Sequence, residues 1–184
     1  LTQELQFLYE GERLRGVAGL YYLDAHAAGK FDTIVGLLNL TIATSGFVDT
    51  TSYAAYADFS YDFTDKLSAS LGGRYTSDEK EGGVYRQNFT GLYSPLFGNN
   101  AAVPGLIRSD YTNDRTFDQF TPRASISYEF TDTFTTYASY SEGFKSGGFD
   151  MRGDVVLTPD TVNGYEPETV QSYEIGAKGT LFDD

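Results

Sequence analysis

The chain has no cysteine, no tryptophan, a single histidine and only 5 prolines. Without cysteine there can be no disulfide framework and no thiolate metal site. His26 stands alone, and one histidine with no cysteine or second histidine makes a poor metal centre. No Ser/His/Asp order and no paired catalytic carboxylates stand out, so the expectation is a protein that is not an enzyme and holds no cofactor and no metal. No run of about 18 apolar residues occurs, which excludes a transmembrane helix. The opening Leu1-Thr2-Gln3-Glu4 lacks the basic and apolar regions of a signal peptide. An exported protein would have lost that leader, or the chain begins inside a longer one. Positive charge is also scarce, with 13 Lys and Arg against 26 Asp and Glu, a formal net charge of −13. Such a balance repels phosphate backbones and argues against nucleic acid as a partner. It argues equally against docking on anionic lipid through basic residues.

Aromatic residues and glycine are abundant, with 15 Tyr, 14 Phe and 20 Gly, and Ser and Thr crowd the same segments. Aromatic and β-branched residues suit a pleated, half-apolar surface, while glycine marks turns and kinks. The dominant period is two. Leu67, Ala69, Leu71, Gly73 and Tyr75 fall on one face, opposite Ser68, Ser70, Gly72, Arg74 and Thr76. Ala124, Ile126, Tyr128 and Phe130 oppose Arg123, Ser125, Ser127 and Glu129. Tyr173, Ile175, Ala177 and Leu181 oppose Ser172, Glu174, Lys178 and Thr180. As helices these segments would scatter charge all round; as strands each has one apolar and one polar face. About seven strands are expected, near 2–9, 13–27, 51–63, 66–80, 118–130, 134–146 and 170–182. In the second, Gly16 and Gly19 read as a bend.

Connections alternate in length. Tight turns are expected at Glu10-Gly11-Glu12, Thr64-Asp65 and Thr131-Asp132-Thr133, with Phe182-Asp183-Asp184 opening a fourth. Long connections are expected at roughly 28–50, 81–117 and 147–169. Short and long in alternation is the pattern of an up-and-down transmembrane barrel with short periplasmic turns and long extracellular loops. Two turns echo each other, Tyr61-Asp62-Phe63-Thr64-Asp65 and Tyr128-Glu129-Phe130-Thr131-Asp132, and their aromatics suit an interfacial girdle. A negative mean hydropathy does not oppose this, because a barrel strand alternates lipid-facing and lumen-facing residues.

Two stretches carry a resemblance. Tyr137-Ala138-Ser139-Tyr140-Ser141-Glu142-Gly143-Phe144-Lys145-Ser146-Gly147-Gly148-Phe149 resembles a segment common in TonB-dependent outer-membrane receptors. So does Tyr165-Glu166-Pro167-Glu168-Thr169-Val170-Gln171-Ser172-Tyr173-Glu174-Ile175-Gly176-Ala177-Lys178-Gly179. The runs Ser52–Asp58 and Gly72-Gly73-Arg74-Tyr75 look like strands of the same family. The resemblance implies an all-β, antiparallel up-and-down transmembrane β-barrel segment, about seven strands of a barrel of twenty-two. It implies a partial barrel domain over 1–184, with the plug domain and the remaining strands outside this sequence. It further implies active import of a scarce nutrient across the outer membrane, such as a ferric siderophore or cobalamin. The implied partners are outer-membrane lipid, the plug of the same protein, the inner-membrane TonB complex and the nutrient. Alternatives are a passive porin, a soluble β-sandwich binding module, and a β assembly that pairs its open edges with other copies.

On the barrel reading Arg74, Arg123, Glu129, Glu174 and Lys178 face the lumen and pair with one another or with the plug, since charge facing lipid costs a few kcal/mol. Phe89, Tyr93, Phe97 and Tyr111 in the longest connection, with Phe144 and Phe149 beside the next, are candidates for a ligand-capture surface. The same residues could instead pack the loops together. Asp110, Asn113 and Asp114 offer oxygen ligands for Ca²⁺ but match no EF-hand spacing. Arg152-Gly153-Asp154 spells an adhesion tripeptide of a kind that recurs by chance.

Overall fold

A computed structural model of the chain describes residues 1–92, 94 and 103–180. These form a single antiparallel sheet of seven strands, each beside its neighbour in sequence. The strands are β1 (Thr2–Glu10), β2 (Leu14–Val35), β3 (Leu40–Asp62), β4 (Leu67–Thr90), β5 (Val103–Thr131), β6 (Phe134–Lys145) and β7 (Glu168–Gly179). All three tight turns fall where expected; the fourth, at 182–184, lies outside the described residues. Thr64 shapes the β3–β4 turn, its Oγ1 accepting from the amides of Lys66 at 3.2 Å and Leu67 at 3.0 Å. Thr131 accepts from the Thr133 amide at the matching place in the β5–β6 turn. Such hydroxyl-to-backbone bonds satisfy turn donors that no ladder reaches. The echo extends to the aromatics: Tyr61 meets Phe63 edge-on at 5.0 Å, and Tyr128 meets Phe130 at 4.8 Å.

Two of the three long connections are largely strand among the described residues. Pairing of β2 with β3 continues unbroken from Leu14 opposite Tyr61 to Val35 opposite Leu40. Only a 3-10 turn (Gly36–Leu38) and Asn39, at φ 48°, join them. Most of 81–117 is likewise strand, in β4 and β5. Glycine, Asp and Ser weaken strand propensity, but propensity spans only about 1 kcal/mol and a long two-sided ladder overrides it. The third connection, 146–167, is a true loop with a 3-10 turn at Pro159–Asn163. Gly16 and Gly19 do not bend β2, whose register runs straight through them. They make room for rings on β3: a Cβ on Gly19 would stand 2.5 Å from the Tyr56 hydroxyl, and one on Gly16 would overlap Phe59.

One face of the turn half of the sheet is apolar and open. Leu71 is 70% exposed and Ile175 89%, with Leu5, Phe7, Leu20 and Ile126 on the same face. Aromatic belts bound this band. Tyr61, Phe63, Tyr128, Phe130 and Phe134 lie near the turns, while Tyr22, Tyr53, Tyr75, Phe120, Tyr140 and Tyr173 form the far belt. From Phe63 to Tyr53 is about ten residues, which at about 3.3 Å per residue and a tilt near 40° spans about 25 Å. The far belt also reports that tilt. Tyr22 opposes Tyr53, Tyr75 lies two residues nearer the turn than Ser77, which opposes Tyr53, Phe120 opposes Tyr75, and Tyr140 opposes Ala124 and Tyr173. Along this path the belt slips toward the turns by about one residue per strand. With strands about 4.8 Å apart, that slip corresponds to a tilt of about 40°, the value strands take in a closed barrel.

Beyond the far belt, β2–β5 continue as a ribbon, the loop half, with polar residues on both faces. Here the buried residues concentrate, among them Thr41, Ala43, Thr44, Val84, Ser109, Phe117 and Phe149.

Candidate functional site

The polar face holds two arrangements. In the turn half, side chains pair across strands. Arg15 bridges Asp62 at 2.9 Å and Arg123 bridges Asp58 at 3.1 Å. Tyr56 donates to Glu4 at 2.5 Å, and Tyr137 to Glu174 at 2.5 Å. Lys178 Nζ sits 5.6 Å above the Tyr137 ring. Arg74 lies 5.0 Å from the Tyr21 ring and 5.7 Å from Tyr56, and its Nε donates to Thr76 Oγ1 at 3.1 Å. Glu129 lines a polar hollow by the turns with Arg13, Arg15, Asp62 and Lys66. All five polar residues singled out in the sequence therefore stand on the face opposite Leu71 and Ile126. Four of them have partners there, as strand alternation requires.

In the loop half, the 146–167 loop folds back across the same polar face and is fastened at many points. Phe149, 7% exposed, fills a notch over Gly82, where a Cβ would come within 2.5 Å of its ring. Only glycine leaves the backbone open to such an approach. Lys80 Nζ donates to the Gly147 carbonyl at 2.8 Å. Burial pushes the Lys80 ammonium below its usual pKa; Lys145 adds to that and Asp78 opposes it. Ser109 donates to the Gly153 carbonyl at 2.7 Å and accepts from the Val155 amide at 3.1 Å. Asn113 donates to the Val162 carbonyl at 2.7 Å. Tyr111 reaches the Thr161 carbonyl at 3.4 Å, and burial raises its hydroxyl's pKa.

Charges complete the fastening. Arg108 Nε lies 2.5 Å from Asp154 Oδ2, and Arg86 Nη1 lies 3.7 Å from the same oxygen. Arg115 pairs with Glu166 at 2.9 Å and packs its guanidinium 4.8 Å over the Phe117 ring. Burial alone would raise the Asp154 pKa, but its bonds from Arg108 and the Leu157 amide, with the nearby arginines, hold it below the ordinary carboxylate value. At the exposed edge, a hydrogen bond from Arg152 likewise holds the Asp150 pKa below the ordinary carboxylate value. Asp154, the last residue of the adhesion-like tripeptide, is thus enclosed, while Arg152 at its start stays exposed.

Among the described residues, the candidate aromatics do not converge. Tyr111 and Phe149 serve the loop docking. Phe144 is half-buried on the aromatic face, opposite Thr169. Phe89 stands near the far tip, opposite Thr41. Tyr93 and Phe97 lie outside the described residues. Asp110 and Asp114 point to the opposite face from Asn113, so the three oxygens expected of a Ca²⁺ site do not meet. Arg86, Arg108 and Arg115 were not singled out in sequence. A Lys or Arg flanked by carboxylates, as in Glu79-Lys80-Glu81, was the available sign that one face differed in charge from the other.

Comparison with known proteins is consistent with this geometry. The family model described as "TonB dependent receptor-like, beta-barrel" matches residues 1–184. Among curated proteins nothing matches. Among solved structures, the ferric yersiniabactin uptake receptor FyuA from Yersinia pestis superposes with a TM-score of 0.72 at 18% identity. The match covers 98% of this chain and 26% of that receptor, so the chain spans about a quarter of its length. The chain belongs to the TonB-dependent receptor β-barrel family, whose place is the bacterial outer membrane.

Proposed function

We propose that this chain is seven strands of an outer-membrane active-transport receptor. It would import a scarce nutrient, a ferric siderophore, cobalamin or a similar compound, with energy supplied by the TonB complex. One observation carries the reading: an exposed apolar band between two aromatic belts, on strands tilted as in a closed barrel, backed by a polar face. On this reading the aromatic face meets lipid. The polar face, with Arg74, Arg123, Glu129, Glu174 and Lys178, lines the lumen against a plug domain of the same full-length protein. The free edges of β1 and β7 then pair with the barrel's other strands, because hydrocarbon offers no partner for an open edge. Ligand would enter from the loop half, where Phe89, together with Tyr93 and Phe97 in the following connection, gives the capture surface. Covalent chemistry has no part in the cycle.

The test is uptake by whole cells. A strain lacking the full-length gene should lose import of one radiolabelled ferric chelate or of labelled cobalamin. Restoring the gene should restore import, and a protonophore should abolish it. Import that persists after collapse of the proton gradient would point to a passive pore instead.

A further inference from the structure

The positive charge of this acidic chain is not spread evenly. Along the loop half, Glu79, Glu81, Asp110 and Asp114 point to the aromatic-side face, while Lys80, Arg86 and Arg115 point to the other. Arg108 joins the cationic face by a special route. By alternation an even-numbered residue of β5 should point with Asp110 and Asp114. A bulge intervenes, because Arg86 pairs with Ser109 and the next residue, Gln87, with Ile107, leaving Arg108 unpaired. Bulges re-aim side chains, and this one places Arg108 beside Arg86. Two guanidiniums thus share one carboxylate, Asp154, and all three side chains are nearly enclosed, at 11%, 14% and 13% exposure. The pair keeps a positive charge that Asp154 alone does not neutralise; Arg86 Nη1 donates to the Arg152 carbonyl, but its Nε is buried with no hydrogen-bond acceptor. Enclosed guanidiniums short of acceptors are costly unless an anion completes them.

From this geometry we infer that Arg86 and Arg108 form an oxyanion-binding subsite on the inner wall of the receptor's outer vestibule. The loop carboxylate of Asp154 occupies it in the absence of ligand, and a carboxylate- or phosphate-bearing ligand displaces it. The inference rests on the transport reading and adds the ligand's chemical class. Planar guanidinium forks match both carboxylate and phosphate, which is why arginine serves here better than lysine. The wall's sign draws anions inward, while the acidic opposite face and the chain's net charge of −13 repel them elsewhere. Displacing Asp154 also frees the 150–158 stretch, because the Ser109 bonds to Gly153 and Val155 flank the ion pair. Arg115 and Glu166 form a second latch further along β5.

The experiment uses the full-length receptor, folded in detergent, with hydrogen exchange read over 150–158. Sodium citrate and sodium pyrophosphate are titrated against sodium chloride at equal ionic strength; the two probes separate carboxylate from phosphate ligands. At least one should raise exchange tenfold or more where chloride does not. Asp154→Asn, which removes the competitor, should bind that probe at least tenfold more tightly by calorimetry. Arg108→Gln should abolish the response and Arg108→Lys restore part of it, each with the heat-modifiable gel mobility of a folded barrel. If both anions behave as chloride, or if Asp154→Asn leaves affinity unchanged, the subsite is refuted. A receptor that imports nutrient in an energy-dependent way yet ignores both anions refutes the subsite alone. One that answers the anions but imports without energy refutes the transport reading and keeps the subsite.

Discussion

The two halves of this sheet use the same strands and the same alternation, yet they are stabilised in opposite ways. In the turn half a single layer stands with its large apolar side chains open, Leu71 and Ile175 among them. Its polar face is laced by cross-strand pairs such as Arg123 with Asp58. Hydrocarbon supplies the second layer. In the loop half both strand faces are polar, and the protein supplies its own second layer by folding 146–167 across one of them. The far aromatic belt marks the change. Past it the aromatic-side face reads Asp24, Asp49, Glu79, Glu81 and Asp114, a composition that only water tolerates.

The sharpest break in the comparison is a charge placed in the band. Leu71→Arg, midway between the belts, should lower the folding stability of the full-length barrel by about 2–4 kcal/mol. Urea titration in phospholipid bilayers measures it. A change below about 0.5 kcal/mol would mean that this face does not lie in hydrocarbon.

Phe149→Ala comes next and should act in the loop half alone. Replacing a core Phe costs about 3–5 kcal/mol; this ring is buried, but the loop it anchors keeps its ties to Ser109, Asn113 and Arg115, so about 1–3 kcal/mol is expected. The loss should appear as faster hydrogen exchange or proteolysis within 146–167, with barrel stability unchanged. Global destabilisation would show that the two halves are one cooperative unit.

Acid provides a gentler probe of the same loop. The Asp154 pKa is depressed in the folded state, so its stabilisation is fully present above the ordinary carboxylate pKa of about 3.9 and is lost as pH falls toward its own lowered value. Loop protection should therefore be flat from pH 7 to about 5 and decline below about 4. Asp154→Asn should remove most of that decline. An identical acid profile in the variant would assign the transition to other carboxylates.

How much of this was legible in sequence follows the same division. Alternation in Leu67–Tyr75 and Ala124–Phe130 gave the strands, faces and turns of the turn half directly, because a lipid-facing band imposes a strict period of two. The loop half hid its strands. Gly46, Asp49, Gly82 and Asn113 resemble loop residues when both strand faces are wet and no apolar period is required. The docking of the loop was hidden more deeply, because Phe149 and Gly82 lie far apart in sequence and meet only through the fold. Arg108 could not be placed at all, since its direction depends on a bulge that alternation predicts wrongly. The resemblance to the receptor family supplied what the period could not, the expectation of active import rather than passive diffusion.

The smallest effect is also the most direct control on the comparison. Thr112 sits on the same sheet face as Leu71, but in the loop half, exposed and paired with Gly83. Its neighbours on that face include Asp110 and Asp114. Thr112→Lys therefore puts a charge on the aromatic-side face where water and carboxylates surround it. Surface substitutions of this kind stay within about 0.5 kcal/mol, and the neighbouring carboxylates favour the new ammonium. Measured in the same bilayers, Thr112→Lys should match the wild type while Leu71→Arg does not. Were both to destabilise the barrel equally, the far belt would not be the membrane's edge, and the ribbon of β2–β5 would have to lie in lipid as well.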